Sequence, residues 1–180
     1  FSLSTTLTII GATGDGAVFF NCPQLTSITL PPNLQELRGG LNFKLCSALP
    51  SITFPDSLFF IDSQEFSGCS SLATVNFPEN PSSSFTEIPY QCFHQCTSLN
   101  NVIIPTTVTT FGSDTFFGCT SLTSVTLPVG NASFTELRRN MFIGCTSLTS
   151  LFIPNSVLTW DNSNAISGTN VDTLIIRPSN

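Results

Sequence analysis

The sequence predicts a repeat solenoid built on one parallel sheet of about eight short strands, and three observations carry the prediction. Six cysteines, Cys22, Cys46, Cys69, Cys96, Cys119 and Cys145, recur at nearly regular intervals. Each opens the phrase Cys-x-x-Leu-x-x-(Ile/Val/Leu)-x-(aliphatic or Phe)-Pro, as in Cys22–Pro31 and Cys119–Pro128. A phenylalanine stands three residues before every one of them: Phe19, Phe43, Phe66, Phe93, Phe116 and Phe142. A period of roughly 25 residues marks an array in which one turn cannot bury its own apolar side and stacked turns share a continuous core.

Within the phrase, Leu-Thr-Ser-Val-Thr-Leu places Val125 and Leu127 on one face and Ser124 and Thr126 on the other. This is the period-2 signature of a short strand with one buried side. Proline closes the strand by removing a ladder donor, and the Gly-Cys-Thr-Ser stretch before it has turn chemistry. The predicted strands are 1–3, 28–30, 52–54, 75–77, 102–104, 125–127, 151–153 and 174–176. Leu25, Leu49, Leu72, Leu99, Leu122 and Leu148 point inward beside them.

After the proline comes an apolar pair three residues apart, Leu34/Leu37, Leu58/Ile61, Phe85/Ile88, Val108/Phe111 or Phe134/Leu137, and then the column phenylalanine. No 3.6-residue amphipathic run of useful length occurs there, so this half of each turn is predicted to be irregular or one-turn helical. Phenylalanines at one place on successive turns stack as a core column, each ring burying roughly 150–250 Å².

Laid on this grid, the whole chain, 1–180, reads as a single solenoid of about seven turns. Its first residues align with a strand phrase, and Val171–Pro178 is a last copy with the cysteine lost near Thr169. Neither end carries a polar capping repeat, which solenoids normally need. Leu3, Leu7 and Ile10 at one end, and Val171, Leu174 and Ile176 at the other, would then expose apolar cross-section. No Met, basic segment or signal-like apolar run opens the chain, so a processed product or an excised fragment is expected.

Only 9% of residues are charged and the formal net charge is −6. Five Lys and Arg in all exclude a nucleic-acid partner, since phosphate binding needs clustered cations. Mean hydropathy is +0.28, yet no apolar run approaches the roughly 20 residues of a spanning helix, so no membrane span is expected.

The side chains that could carry chemistry are sparse. In-register residues of neighbouring strands lie about 4.8 Å apart, within disulfide range. Column side chains point the same way, however, and free cysteine is among the most buried residue types, so a reduced, inert ladder is expected. Cys92, His94 and Cys96 are the closest approach to a zinc set and lack paired spacing. Cys92 reads as a filler and His94 as a solvated turn residue. Glu36, Glu87 and Glu136 share one position and form a sparse surface file without the cleft that acid/base catalysis by paired carboxylates requires. No catalytic residue, metal or cofactor is predicted.

The outward strand positions are better candidates: Ser27 and Thr29, Ser51 and Thr53, Thr74 and Asn76, Asn101 and Ile103, Ser124 and Thr126, Ser150 and Phe152, Thr173 and Ile175. Thr and Ile suit exposed strand sites for intrinsic reasons. Equally, Ile103, Phe152 and Ile175 with hydroxyls such as Ser124 and Thr126 between them supply an apolar anchor with a polar rim, as interfaces do. Two turns are lengthened just after the strand proline, at 79–84 and 129–133, and such inserts map to one edge of a solenoid. The second holds Asn131-Ala-Ser133, a glycosylation sequon.

The phrase Phe116–Pro128, Phe-x-Gly-Cys-Thr-Ser-Leu-Thr-Ser-Val-Thr-Leu-Pro, together with Val108-Thr-Thr-Phe111-Gly112, resembles the BspA-like leucine-rich repeat, and the likeness covers essentially the whole chain. The resemblance implies a curved, right-handed leucine-rich-repeat coil on a microbial cell surface, associated with adhesion to host or matrix proteins and with coaggregation, and brings no catalytic residues to transfer. In a first reading the strand face binds a protein or glycan, as an adhesive module of a larger surface protein. The glycine-rich stretch 11–18 and the decayed turn at Ser167-Gly168-Thr169 depart from the pattern. A second reading makes the chain a subunit whose bare ends dock head to tail into a fibre, because a heterologous contact does not close.

Overall fold

The structure, a computed structural model, describes residues 3–11, 17–78, 84–161 and 164–176, with the backbone alone at Ile176. Numbered along the chain, its strands fall into two files. The first holds β3 (Ser51–Thr53), β5 (Thr74–Asn76), β7 (Asn101–Ile103), β9 (Ser124–Thr126), β11 (Ser150–Ile153) and β13 (Thr173–Ile176). The second holds β1 (Ile9–Ile10), β2 (Glu36–Leu37), β4 (Phe60–Ile61), β6 (Glu87–Ile88), β8 (Thr110–Phe111), β10 (Glu136–Leu137) and β12 (Thr159–Trp160). All strand pairs are parallel, as a stacked coil requires.

The first file is the predicted strand phrase, shifted one residue toward the N-terminus because the outward Ser, Thr or Asn before the aliphatic residue also joins the ladder. The alternation holds: β3, β5, β7 and β9 each read exposed, buried, exposed. Two strands differ from the prediction. Segment 28–30 contracts to an isolated bridge at Thr29, and strand 1–3 falls outside the described residues except for Leu3, which is not in a strand. The second file corrects the expectation of an irregular or helical opposite side. Among the described residues there is no helix, and the apolar pair after each proline ends in a two-residue strand whose second residue, such as Leu37, Ile61 or Ile88, points into the core.

Nor is the first file one continuous sheet. Turns of the shorter length pair fully, as Ser51↔Thr74 through Thr53↔Asn76 and Asn101↔Ser124 through Ile103↔Thr126 do. Across the lengthened turn between them, β5 and β7 keep only Thr74↔Asn101, and β9 shares no ladder with β11. The second file also breaks between β4 and β6 and between β8 and β10. Both files are therefore interrupted at the two turns lengthened after the strand proline, because the extra residues offset the stacking of everything between the first file and the second.

The phenylalanine edge crosses both breaks. Phe43 N donates to Glu65 O at 3.1 Å, Phe66 N to Cys92 O at 2.9 Å, Phe93 N to Thr115 O at 3.0 Å, Phe116 N to Met141 O at 3.0 Å and Phe142 N to Ala165 O at 2.7 Å. Inside it the rings stack nearly parallel with centroids 5.2 Å apart for Phe19–Phe43 and Phe43–Phe66, then 5.7, 5.7 and 5.6 Å through Phe142. The core is this column, the cysteine column and the inward leucines. Leu49, Leu72, Leu99, Leu122 and Leu148 are fully buried, and Leu25 packs against them half-buried.

Candidate binding face

The exposed side of the first file carries no charged residue at any outward position from Ser51 to Ile175. Its polar side chains are tied to each other across strands: Asn76 Nδ2 donates to Thr53 Oγ1 at 3.0 Å, Thr123 Oγ1 to Asn100 Oδ1 at 2.7 Å, and Ser124 Oγ to Asn101 Oδ1. Such links hold rotamers in place, so that less side-chain entropy is lost on contact with a partner. Ile103 stands among them at 72% exposure, directly beside Thr126 in register. The other predicted anchors are reached less well: Phe152 is half-buried, while Ile175 is exposed next to it in register. Ile103 with Ser124 and Thr126 therefore forms one patch, and Phe152 with Ile175 a second beyond the break between β9 and β11.

At the N-terminal end of this face the sheet opens. Phe54 N donates to Asn76 O at 2.9 Å and Ile104 N to Thr126 O at 3.0 Å, but the corresponding bond from Leu30 N to Thr53 O is not made. Leu30 precedes Pro31 and Pro32, where the other strand phrases have one proline, so the second ring holds Pro31 itself extended. Segment 28–30 stands off β3. The resulting groove, of about 290 Å³, is lined by Ile28, Thr29, Leu30, Ser51, Thr53, Phe54 and Pro55.

The residues weighed for chemistry are placed as follows. The column thiols are free and buried except Cys22, which is half-buried. Cys46, Cys69, Cys96, Cys119 and Cys145 each donate to the carbonyl of a column phenylalanine one turn earlier, at 3.0 to 3.2 Å. Burial pushes the Cys96 and Cys119 thiols well above their ordinary range. Cys92 is fully buried. His94 is not the solvated residue expected: it stacks on Phe117 at 5.0 Å, half-buried, and burial lowers its pKa.

Glu36, Glu87 and Glu136 do not make a uniform surface file. Glu36 is nearly buried and pairs with Arg38, while Glu136 pairs with Arg138 at 2.9 Å; Glu87 is exposed. The buried carboxyl is Glu65 instead, which stands just before the column Phe66. It accepts from Asn42 N at 3.3 Å through Oε2, its Oε1 has no partner, and burial raises its pKa to about 8. The ionisable carboxyl in a file otherwise held by Asn42, Cys92, Thr115, Met141 and Ala165 was the available signal.

Asn131 is engaged rather than free. Its Nδ2 donates to Thr106 O at 2.7 Å and Val108 O at 3.1 Å, and its Oδ1 accepts from Ser133 N at 3.0 Å. The insert at 79–83 lies outside the described residues. Leu3 and Leu7 pack half-buried against the core, Leu174 is 41% exposed, and the Ile176 side chain lies outside the described set.

Parallel strands from successive turns, inward leucines and an asparagine- and threonine-edged exposed face define a leucine-rich-repeat solenoid. A family model described as the BspA type leucine rich repeat region matches the chain in 6 copies over residues 1–85 and 80–180. The chain belongs to that family. Its fold is similar to a leucine-rich repeat protein of T. pallidum, with TM-score 0.69 and 24% identity over 96% of this chain and 71% of that one. A leucine-rich repeat protein from Eubacterium ventriosum aligns with TM-score 0.71 and 22% identity, over 95% of this chain and 43% of that one. A leucine-rich cell surface protein from Faecalibacterium prausnitzii aligns with TM-score 0.50 and 18% identity, over 99% and 59%. This chain thus spans less than two thirds of the last two. Comparison with curated proteins gives no match.

Proposed function

We propose that this chain is a non-catalytic, extracellular recognition module of a bacterial surface protein, adhering to a protein or glycan through the exposed face of its first strand file. The observation that carries this reading is the charge-free face in which cross-linked hydroxyls and amides surround the 72%-exposed Ile103. An exposed aliphatic side chain in the middle of an ordered polar strand surface gains most by being covered. The family relationship supports the extracellular setting, since one fold relative is a cell surface protein by its own description.

The test is solid-phase binding of the labelled chain to immobilised matrix proteins and to a glycan panel, comparing wild type with Ile103→Asp and Thr126→Arg. Both variants change exposed positions and leave the core intact. Binding that falls about tenfold or more in both supports the strand face. Binding that both retain overturns it.

A further inference from the structure

We propose that the groove between segment 28–30 and β3 is a binding subsite for one residue of an uncharged saccharide. The site is separate from the Ile103 patch, and its argument rests on the break in the sheet. In turns that pair normally, the amide after the strand donates to the carbonyl of the next turn; here Leu30 N–H and Thr53 C=O border the same gap without bonding each other. A donor and an acceptor are therefore presented together, and leaving them unmet when covered costs free energy. The hydroxyls of Thr29, Ser51 and Thr53 stand around the same gap.

The chemistry of the occupant follows from the lining. No Lys, Arg, Asp or Glu lines the groove, so nothing pairs the charge of a phosphate, carboxylate or amine, and covering such a charge unpaired is unfavourable. A sugar hydroxyl both donates and accepts, as a seryl hydroxyl does, and adjacent hydroxyls of one ring answer the Leu30 amide and the Thr53 carbonyl together. Ile28, Leu30, Phe54 and Pro55 supply apolar wall for the ring's C–H surface. At about 290 Å³ the space lies at the lower limit of small-ligand pockets, which suits a single ring.

An added peptide strand fits less well. Strand addition uses a run of alternating donors and acceptors along a free edge, whereas here segment 28–30 stands as the opposite wall of the groove from β3.

The experiment is an NMR titration of the ¹⁵N-labelled chain with methyl β-glucopyranoside and N-acetylglucosamine, with glucuronate as the charged control and a valine-threonine peptide as the strand-forming one. Saturable shifts of the Leu30, Ser51 and Thr53 amides with the neutral sugars are expected. They should persist in Ile103→Asp and vanish in Ser51→Phe, which fills the groove from an exposed position. Ser51→Leu, a smaller plug, should weaken the response about tenfold and guards against misfolding of the larger one. The proposal is overturned if neutral sugars shift no groove amide at millimolar concentration, if glucuronate binds as well, if the peptide alone shifts these amides, or if Ser51→Phe leaves the sugar response unchanged. Loss of groove binding in Ile103→Asp would overturn the separateness of the two sites, while loss of matrix adhesion in that variant alone bears only on the strand-face function.

Discussion

The thiol of Cys119 donates a hydrogen bond to the main-chain carbonyl of Phe93, one full turn earlier, at 3.2 Å. The same carbonyl already accepts the Cys96 amide of its own turn at 3.2 Å, so the thiol fills its second lone pair and ties the two turns together. The relationship repeats along the column. It also explains why a small sulfur-bearing residue recurs there: serine would bring a larger desolvation cost, and alanine would remove the inter-turn bond. Where the column ends, Thr169 donates instead to Ile166 of its own turn at 2.7 Å, and the inter-turn link is lost.

Thiol reactivity follows from this arrangement. A thiol-specific reagent should label Cys22 in the native chain, since it alone is half-buried, and label all seven cysteines after unfolding without reductant. Mass spectrometry of the alkylated protein reads both numbers. Disulfide-linked peptides in the unreduced digest would refute the free-thiol column.

Stability should depend on pH through Glu65. Its folded-state pKa, raised to about 8 by burial, exceeds the value of an unfolded glutamate. The protonated form therefore stabilises the fold fully below the ordinary carboxylate range, and this contribution is lost as pH rises through about 8. Unfolding free energies from urea titrations at mildly acidic to mildly alkaline pH should fall, by on the order of a few kcal/mol in total. In Glu65→Gln, neutral at every pH, this slope should disappear; a variant with the wild-type slope would show that another group is responsible.

Leu122→Ala should cost about 2–5 kcal/mol in chemical denaturation, as truncation of a fully buried leucine does, because Leu122 is at 0% exposure between equivalent leucines above and below. Leu25→Ala, half-buried, should cost distinctly less.

Asn131→Asp should destabilise the fold by about 1–2 kcal/mol, read as a lower melting temperature. A carboxylate cannot donate to the Thr106 and Val108 carbonyls that the amide now serves. Asn131→Ser, able to donate one bond, should recover part of the loss, much as Ser57 Oγ donates to Leu34 O at 2.7 Å in an equivalent inter-turn role.

Most of the coil was legible in the sequence because its signals recur: a cysteine, a leucine and a phenylalanine at fixed offsets specify turn after turn. The second strand file was not legible. A two-residue strand such as Glu87–Ile88 has one inward side chain and no alternation to detect, so its pairing appears only once turns are stacked. The interruptions were written in the spacing, since Thr74 and its partner Asn101 lie farther apart along the chain than Ser51 and its partner Thr74. Their effect on both files depends on where in the turn the excess lies. Of the binding face, the outward residues were readable by parity, whereas the groove beside Leu30 depends on a hydrogen bond that is not made, and its only trace in the sequence is Pro31–Pro32.

The continuous phenylalanine edge has a mechanical consequence for a coil under load. Tension along the coil axis loads the turns in series, and the load at each junction is shared by whatever backbone links span it. At the junctions of the two lengthened turns the strand files contribute a single pair or none, so the phenylalanine edge carries the larger share, beside the bonds from Ser98 N to Ser70 O, Asn100 N to Ala73 O and Ser147 N to Thr120 O. Extension should therefore begin with two steps, one at each junction, in which three blocks of turns part before any one of them unravels. The stacked rings along that edge act as the cable on which the blocks are strung.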